Sequence, residues 1–344
     1  MKRLILGLSA CIVAASLAVA SAAPARAAGA PIVMKLATGT LNDSQHEWLK
    51  RFAVEIQRDT HGRIVAQVYP SGQLGSVPRM VELLQFGSIQ AMTLPLDFMQ
   101  GIDPRFQLMD APGLFETFAQ ANATLDDPRI QALYLNMARS KGITGLQMFS
   151  EGPLTTVTRR LATGYPDLKG WKIRTLAGAM QRGEMSAMGA SGVPLPLDQL
   201  SPAMQQGAVD GAILNMGVAN SLGLEASAKY ALELRDGWPP GMAAFNTTWF
   251  EKLPPDLRKI VVADATHVNR EVQIWADQFL TQQAKTWTTA GGQITVPTAA
   301  ERAAFVKLVL PVAAGVAAAD PQTNAAWALI AKVAATHRTA KAHE

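Results

Sequence analysis

The chain has 344 residues, with 31 Lys and Arg against 27 Asp and Glu, five His and one Cys. A lone cysteine excludes a disulfide framework, a zinc–thiolate site and, once an N-terminal leader carrying it is removed, a cysteine nucleophile. The formal charge of +4 offers too little basic excess for nucleic acid or an anionic membrane surface.

The opening MKRLILGLSACIVAASLAVASAAPARAAGA sets Lys2 and Arg3 before an apolar run and then small residues, which is the pattern of a secretory leader. Ala25-Arg26-Ala27 fits a cleavage site, so residues 1–27 are expected to leave and the mature chain to begin at Ala28. Leu8-Ser9-Ala10-Cys11 also matches a lipobox, but the apolar run continues through Ile12 and Val13 and would leave a greasy mature terminus. With Lys2, Arg3, Arg26 and Cys11 gone, 28 basic residues face 27 acidic ones and no cysteine remains. No later stretch approaches about 18 uninterrupted apolar residues, so no membrane insertion of the mature chain is expected. What remains is long enough for two domains.

Strands and helices then alternate. Residues 32–38 read as a strand, followed by a helix from Ser44 in which Trp48, Phe52 and Ile56 recur every fourth residue until Gly62 stops it. RIVAQVYP gives a second strand, SGQLGS a turn, 78–86 a short helix ended by Gly87, and IQAMTL a third strand. This βαβαβ order predicts a parallel α/β sheet with ligands at the carboxyl ends of its strands.

The middle of the chain repeats the theme. Residues 119–141 read as helix, GITGLQMF and PLTTVT as strands, WKIRT as a short strand, 177–188 as helix, GVPLPLDQL as a proline-punctuated loop, and AVDGAIL as a strand after a helix ending at Gly207. Two similar α/β units predict two lobes. From Pro254 to about Trp287 there is neither proline nor glycine, and Leu257, Val261, Ala265, Val268, Val272, Trp275 and Phe279 step by four or three. That spacing predicts one amphipathic helix of roughly 30 residues, near 45 Å long, more than one small lobe can cover. A strand in GGQITVP, a helix over 299–310 and a charged, frayed tail over 334–344 complete the reading.

Catalytic signatures are sparse. HEWLK at 46–50 is not a zinc-binding H-E-x-x-H, because Lys50 holds the second ligand position. No nucleophile elbow, Walker loop or dinucleotide fingerprint is present, and the carboxylates are scattered singly, so no acid–base pair, metal site or cofactor is nominated and no enzyme is expected. Met180, Met185 and Met188 at helical spacing read as core, as do Trp48, Trp275 and Trp287. Trp238, in the rigid turn DGWPPG, is open between packing and ligand stacking. In GWKIRT, Trp171 and Ile173 face one way and Lys172 and Arg174 the other, so Arg174 is either a solvated or ion-paired cation or an anion-binding group at a strand end.

Several segments, in order, carry a resemblance. Thr60-His61-Gly62-Arg63-Ile64 with VYPSGQLGS, DLKGWKIRT with Arg174, MGASGVPLPLDQL, GAVDGAIL, and WFEKLPPDLRKIV at the start of the long helix resemble the substrate-binding proteins of TRAP (tripartite ATP-independent periplasmic) transporters over nearly the whole mature chain. The resemblance implies a two-lobed periplasmic-binding-protein fold of class α/β, with hinge strands and a long helix bracing both lobes. It also implies a periplasmic, monomeric receptor that closes on a small organic acid and delivers it to TRAP membrane permease subunits, with Arg174 taking the carboxylate. The division expected is 28–151 plus 239–279 for lobe I and 152–238 plus 280–333 for lobe II.

This sequence departs from the family where many members place a second arginine two residues after a glycine. Following Gly152 that position is Leu154. Leu94, Ala177, Leu197 and Leu214 are apolar at neighbouring contact positions, with Thr38, Thr93 and Asn215 as polar helpers. A single anchored carboxylate with an apolar remainder follows: an aromatic, branched or 2-oxo monocarboxylate. A C4-dicarboxylate receptor and a ligand-sensing module for a signalling receptor are the alternatives.

Overall fold

The computed structural model describes residues 30–338; the leader, its cleavage after Ala27 and residues 339–344 lie outside the described residues. Two sheets form its framework. The first has the order β2-β1-β3-β10-β4, built from β1 (Ile32–Ala37), β2 (Ile64–Tyr69), β3 (Ala91–Pro95), β4 (Ile143–Ser150) and β10 (Pro240–Asn246). The second has the order β11-β9-β5-β8-β6-β7, from β5 (Leu154–Thr158), β6 (Lys172–Thr175), β7 (Ser191–Pro194), β8 (Gly211–Asn215), β9 (Tyr230–Leu232) and β11 (Gln293–Thr295).

The helices are α1 (Ser44–Asp59), α2 (Val77–Gln85), α3 (Phe118–Leu125), α4 (Pro128–Tyr134), α5 (Ala179–Ala187), α6 (Leu200–Gln206) and α7 (Met216–Ser221). They continue with α8 (Thr247–Lys252), α9 (Pro255–Thr289), α10 (Ala299–Ala317) and α11 (Pro321–His337). None of them is long and apolar enough to cross a membrane.

The first βαβαβ unit is parallel as expected, with β1 between β2 and β3. The sheet is mixed, however, because β10 enters antiparallel between β3 and β4. From the sequence only the turn DGWPPG is expected there. PGMAAFN is buried at every position, so it has no alternation to betray a strand. The single helix expected over 119–141 is two, because Pro128 opens α4 and the Asp127 side chain accepts a hydrogen bond from Arg129 N at 2.9 Å. Conversely, α10 runs through Pro311 instead of ending at Leu310, because Phe305, Val309, Ala313 and Ala317 bury one continuous stripe.

The long helix α9 extends 35 residues and ties the two halves together. Its first half buries Leu257, Val261, Ala265, Val268 and Val272 against Trp48 and Phe52 of α1. There, Trp48 Nε1 donates to Asn269 Oδ1 at 3.3 Å, and Asn269 Nδ2 donates to Met148 O at 2.9 Å. Its second half packs on α7 and β11, where Asn220 Nδ2 donates to Gln283 Oε1 at 2.8 Å and Trp287 is fully buried. Trp275 is not a core residue as expected. The buried seam passes through Ala276, leaving Trp275 half-buried and stacked on Phe279 at 4.4 Å between ring centres.

Two further connections cross between the sheets side by side. Glu151 N donates to Pro239 O at 3.0 Å, and Leu154 N to Gly237 O at 2.8 Å, so the β4–β5 and β9–β10 links form a paired hinge. Gly152 within it has φ of +93°, and a Cβ there would meet Leu280 Cδ2 of α9 at 2.3 Å. The last helix, α11, lies in the segment divided above between lobe II and the tail. It packs Ala326, Ile330, Val333 and Ala334 into the cluster beneath the first sheet, and stays helical to His337.

Candidate functional site

A hollow lies between the two sheets, lined from the first by Gly39, Thr40, Gln45, Val77, Pro95 and Phe98, and from the second by Leu154, Arg174, Leu176, Gln181, Leu197, Ile213, Leu214, Asn215 and Val218. Glu151 and Pro239 of the hinge close its back. It leaves about 60 Å³ for the centres of water-sized molecules and adjoins a larger second hollow, of about 610 Å³ by the same measure, that shares Gly39, Val77, Phe98, Leu176 and Leu197. Arg174, Asn215 and Pro95 stand at or next to the carboxyl ends of β6, β8 and β3, where open α/β sheets place their ligands.

Arg174 is 3% exposed. Its Nε donates to Leu195 O at 2.9 Å, so the proline loop after β7 holds the stem of the fork. Among the described residues no carboxylate comes within 4.0 Å of the guanidinium and its two terminal nitrogens make no hydrogen bond, although Arg174 lines the hollow. The alternative of a structural ion pair is therefore not met: the charge acting on Arg174 is that of Asp97, which lies beyond ion-pair reach. Burial lowers the Arg174 pKa to about 10, and the charge of Asp97 opposes that fall, so the group remains a cation at neutral pH. Asp97 is raised to about 6, by burial above all, against the Gly178 backbone and the charges of Arg174 and Arg182.

Asn215 caps α7, with Val218 N donating to its Oδ1 at 2.9 Å. That contact fixes the amide of Asn215, which lines the hollow. Among the described residues no group of three His, Cys, Asp or Glu could hold a metal ion.

The comparisons agree with this layout. A family model for bacterial extracellular solute-binding proteins, family 7, matches residues 37–320. The chain belongs to this family. The solute-binding protein is 25% identical over 311 residues to the C4-dicarboxylate-binding periplasmic protein DctP of Rhodobacter capsulatus, covering 89% of this chain and 92% of that one. It is 26% identical over 224 residues to the 2,3-diketo-L-gulonate-binding periplasmic protein YiaO of Escherichia coli, covering 65% and 68%. Its fold is that of the TRAP periplasmic solute-binding proteins. The structure of such a protein from Desulfovibrio salexigens with bound orotic acid superposes with a TM-score of 0.84 at 26% identity, over 89% of this chain and 99% of that one.

Of the residues nominated from the sequence, Arg174, Asn215, Leu154, Leu197 and Leu214 line the hollow of the solute-binding protein together. Ala177 lines the adjoining one. Thr38 and Thr93 do not line it. Thr38 Oγ1 donates to Gln45 Oε1 and Thr93 Oγ1 to Gln45 O, each at 3.1 Å, so both hold Gln45, which does. Leu94 is fully buried in the core under the first sheet. Trp238 is likewise a core residue, 5% exposed and tilted against Phe118 with 6.5 Å between ring centres, rather than a stacking platform.

Sequence reasoning missed Gln45, Glu151, Gln181 and Phe98. Gln45 had a readable signal, since it sits in the first turn of the helix after β1. Glu151 had none beyond its place beside Gly152.

Proposed function

We propose that the protein is an extracytoplasmic solute receptor that captures a small organic monocarboxylate with an apolar remainder and delivers it to a TRAP membrane permease. The observation that carries this reading is the unpaired outer edge of Arg174, a planar fork suited to grip a carboxylate bidentately. Each charge-assisted hydrogen bond is worth about 1.5–3 kcal/mol, and more where closure excludes water. The hollow has no second cation among its lining residues, and Val77, Phe98, Leu154, Leu197, Ile213 and Leu214 offer hydrocarbon to the rest of the ligand. A C4-dicarboxylate, as in the name of the Rhodobacter capsulatus relative, would leave one carboxylate without a charged partner here.

Capture is reversible: ligand enters the open cleft, Arg174 binds its carboxylate, the lobes turn about the paired hinge, and docking on the permease reopens them. The receptor works in the periplasm as a monomer after removal of residues 1–27. Thermal-shift screening against aromatic, branched and 2-oxo monocarboxylates, sugar acids and C4-dicarboxylates tests the ligand class. Stabilisation by diacids alone would overturn it. Loss of uptake of the bound acid in a deletion strain separates a transport receptor from a sensing module, which would leave uptake intact.

A further inference from the structure

The hollow contains one ionisable group besides Arg174. Glu151 is 5% exposed, its Oε1 is buried with no hydrogen-bond partner, and its side chain lines the same space. Its backbone is pinned in the hinge by the hydrogen bond to Pro239 O. Room for the carboxyl comes from Gly241 of β10, where a Cβ would stand 2.7 Å from Glu151 Oε1. No Lys, Arg or His nitrogen lies within 4.0 Å of it among the described residues.

Building on the carboxylate-receptor reading, we infer that Glu151 is a specificity-determining residue that donates a hydrogen bond from its carboxyl to a carbonyl or hydroxyl oxygen on the body of the ligand. A buried carboxyl oxygen with no protein partner, as Glu151 Oε1 is, is costly, and the cost is relieved when a ligand supplies the complement. The sign of that complement follows from the surroundings. Asp43 approaches from the loop before α1 and Asp110 from the end of the 3-10 helix Pro104–Asp110, while β10 presents a glycine. Gln45 of α1 offers the one hydrogen bond that favours the charged form. Burial first, then Asp43 and Asp110, raises the Glu151 pKa well above its ordinary value, which favours the neutral form that carries a proton to donate. A second ligand carboxylate would meet these acids instead of a cation, so the same group selects against diacids.

The test is calorimetric titration of the wild type, Glu151→Gln, Glu151→Ala and Arg174→Ala with matched probes: 4-methyl-2-oxopentanoate against 4-methylpentanoate, phenylpyruvate against 3-phenylpropanoate, 4-hydroxybenzoate against benzoate, and succinate. The wild type is expected to bind at least one oxygenated acid ten times or more tightly than its partner. Glu151→Gln, whose amide still donates, should keep that ratio, and Glu151→Ala should bring it below threefold. Equal wild-type affinities within every pair overturn the inference without reference to any variant. A ratio lost equally in Glu151→Gln and Glu151→Ala, in folded proteins, also overturns it, because an ionised carboxylate would then be the active form. If probes bind and Arg174→Ala abolishes binding while the ratios are flat, only the role of Glu151 fails. If no probe binds the wild type, the carboxylate reading fails with it.

Discussion

Replacing Gly178 by alanine should weaken ligand binding without disturbing either lobe. Gly178 stands at the start of α5 with φ −62° and ψ 149°, a conformation alanine adopts freely. A Cβ there would meet Asp97 Oδ1, across the cleft, at 2.3 Å and its Cγ at 3.0 Å. Asp97 is 1% exposed and its Oδ2 accepts from Gln100 Nε2 at 3.4 Å, so it cannot swing aside freely. Overpacking of this kind costs about 1–3 kcal/mol. Gly178 follows β6 of the second sheet and Asp97 follows β3 of the first, so the clash is expected to fall on the contact between the two halves and to lower the apparent affinity by the corresponding factor, roughly 5- to 150-fold. The loss of a glycine N-cap is shared by open and closed states and shows only in unfolding. Calorimetric titration with an acid selected in the screen, together with X-ray scattering of the liganded protein, reads the effect. Affinity within twofold of wild type and an unchanged scattering profile would refute this account of lobe closure.

Two further outcomes follow from the same cleft. Since Asp97 titrates near 6 in the fold and near 3.8 unfolded, its contribution to stability is fully present below pH 3.8 and is lost as the pH rises through about 6. A difference of that size amounts to about 3 kcal/mol, so Asp97→Asn should unfold at higher urea than wild type at pH 7 and lose that advantage by pH 4; parallel unfolding curves at both pH values would contradict it. Leu154, 3% exposed and paired across the sheet with Asn215, lines the hollow beside Arg174. Leu154→Arg supplies a second cation there and should raise succinate affinity relative to monocarboxylates at least tenfold, and a binding panel with no change of order would refute the pocket argument.

Much of this architecture was legible in the sequence because its signals are local. The four-residue recurrence of Trp48, Phe52 and Ile56 and the unbroken run of α9 fix helices by their own periodicity. Arg174 was legible as a cation ending an apolar strand. What was hidden depends on distant partners. β7 is only Ser191–Pro194, half-exposed, and is a strand because β6 pairs with it. β10 has no alternation because both its faces are covered. Thr38 and Thr93 carry hydroxyls in the right strands, but those hydroxyls are spent on Gln45, which no spacing rule reveals. Glu151 looks like any single carboxylate until Gly241, 90 positions later, is seen to make its berth.

The central claim is that the outer edge of the Arg174 guanidinium holds the ligand's carboxylate. The direct measurement is the dissociation constant of the best-stabilising acid for the wild type and Arg174→Ala, with unfolding followed in parallel. A loss of about 2–4 kcal/mol in binding free energy, with the folded state retained, is the result expected for removing a buried charged partner. An affinity unchanged within twofold would contradict the claim outright.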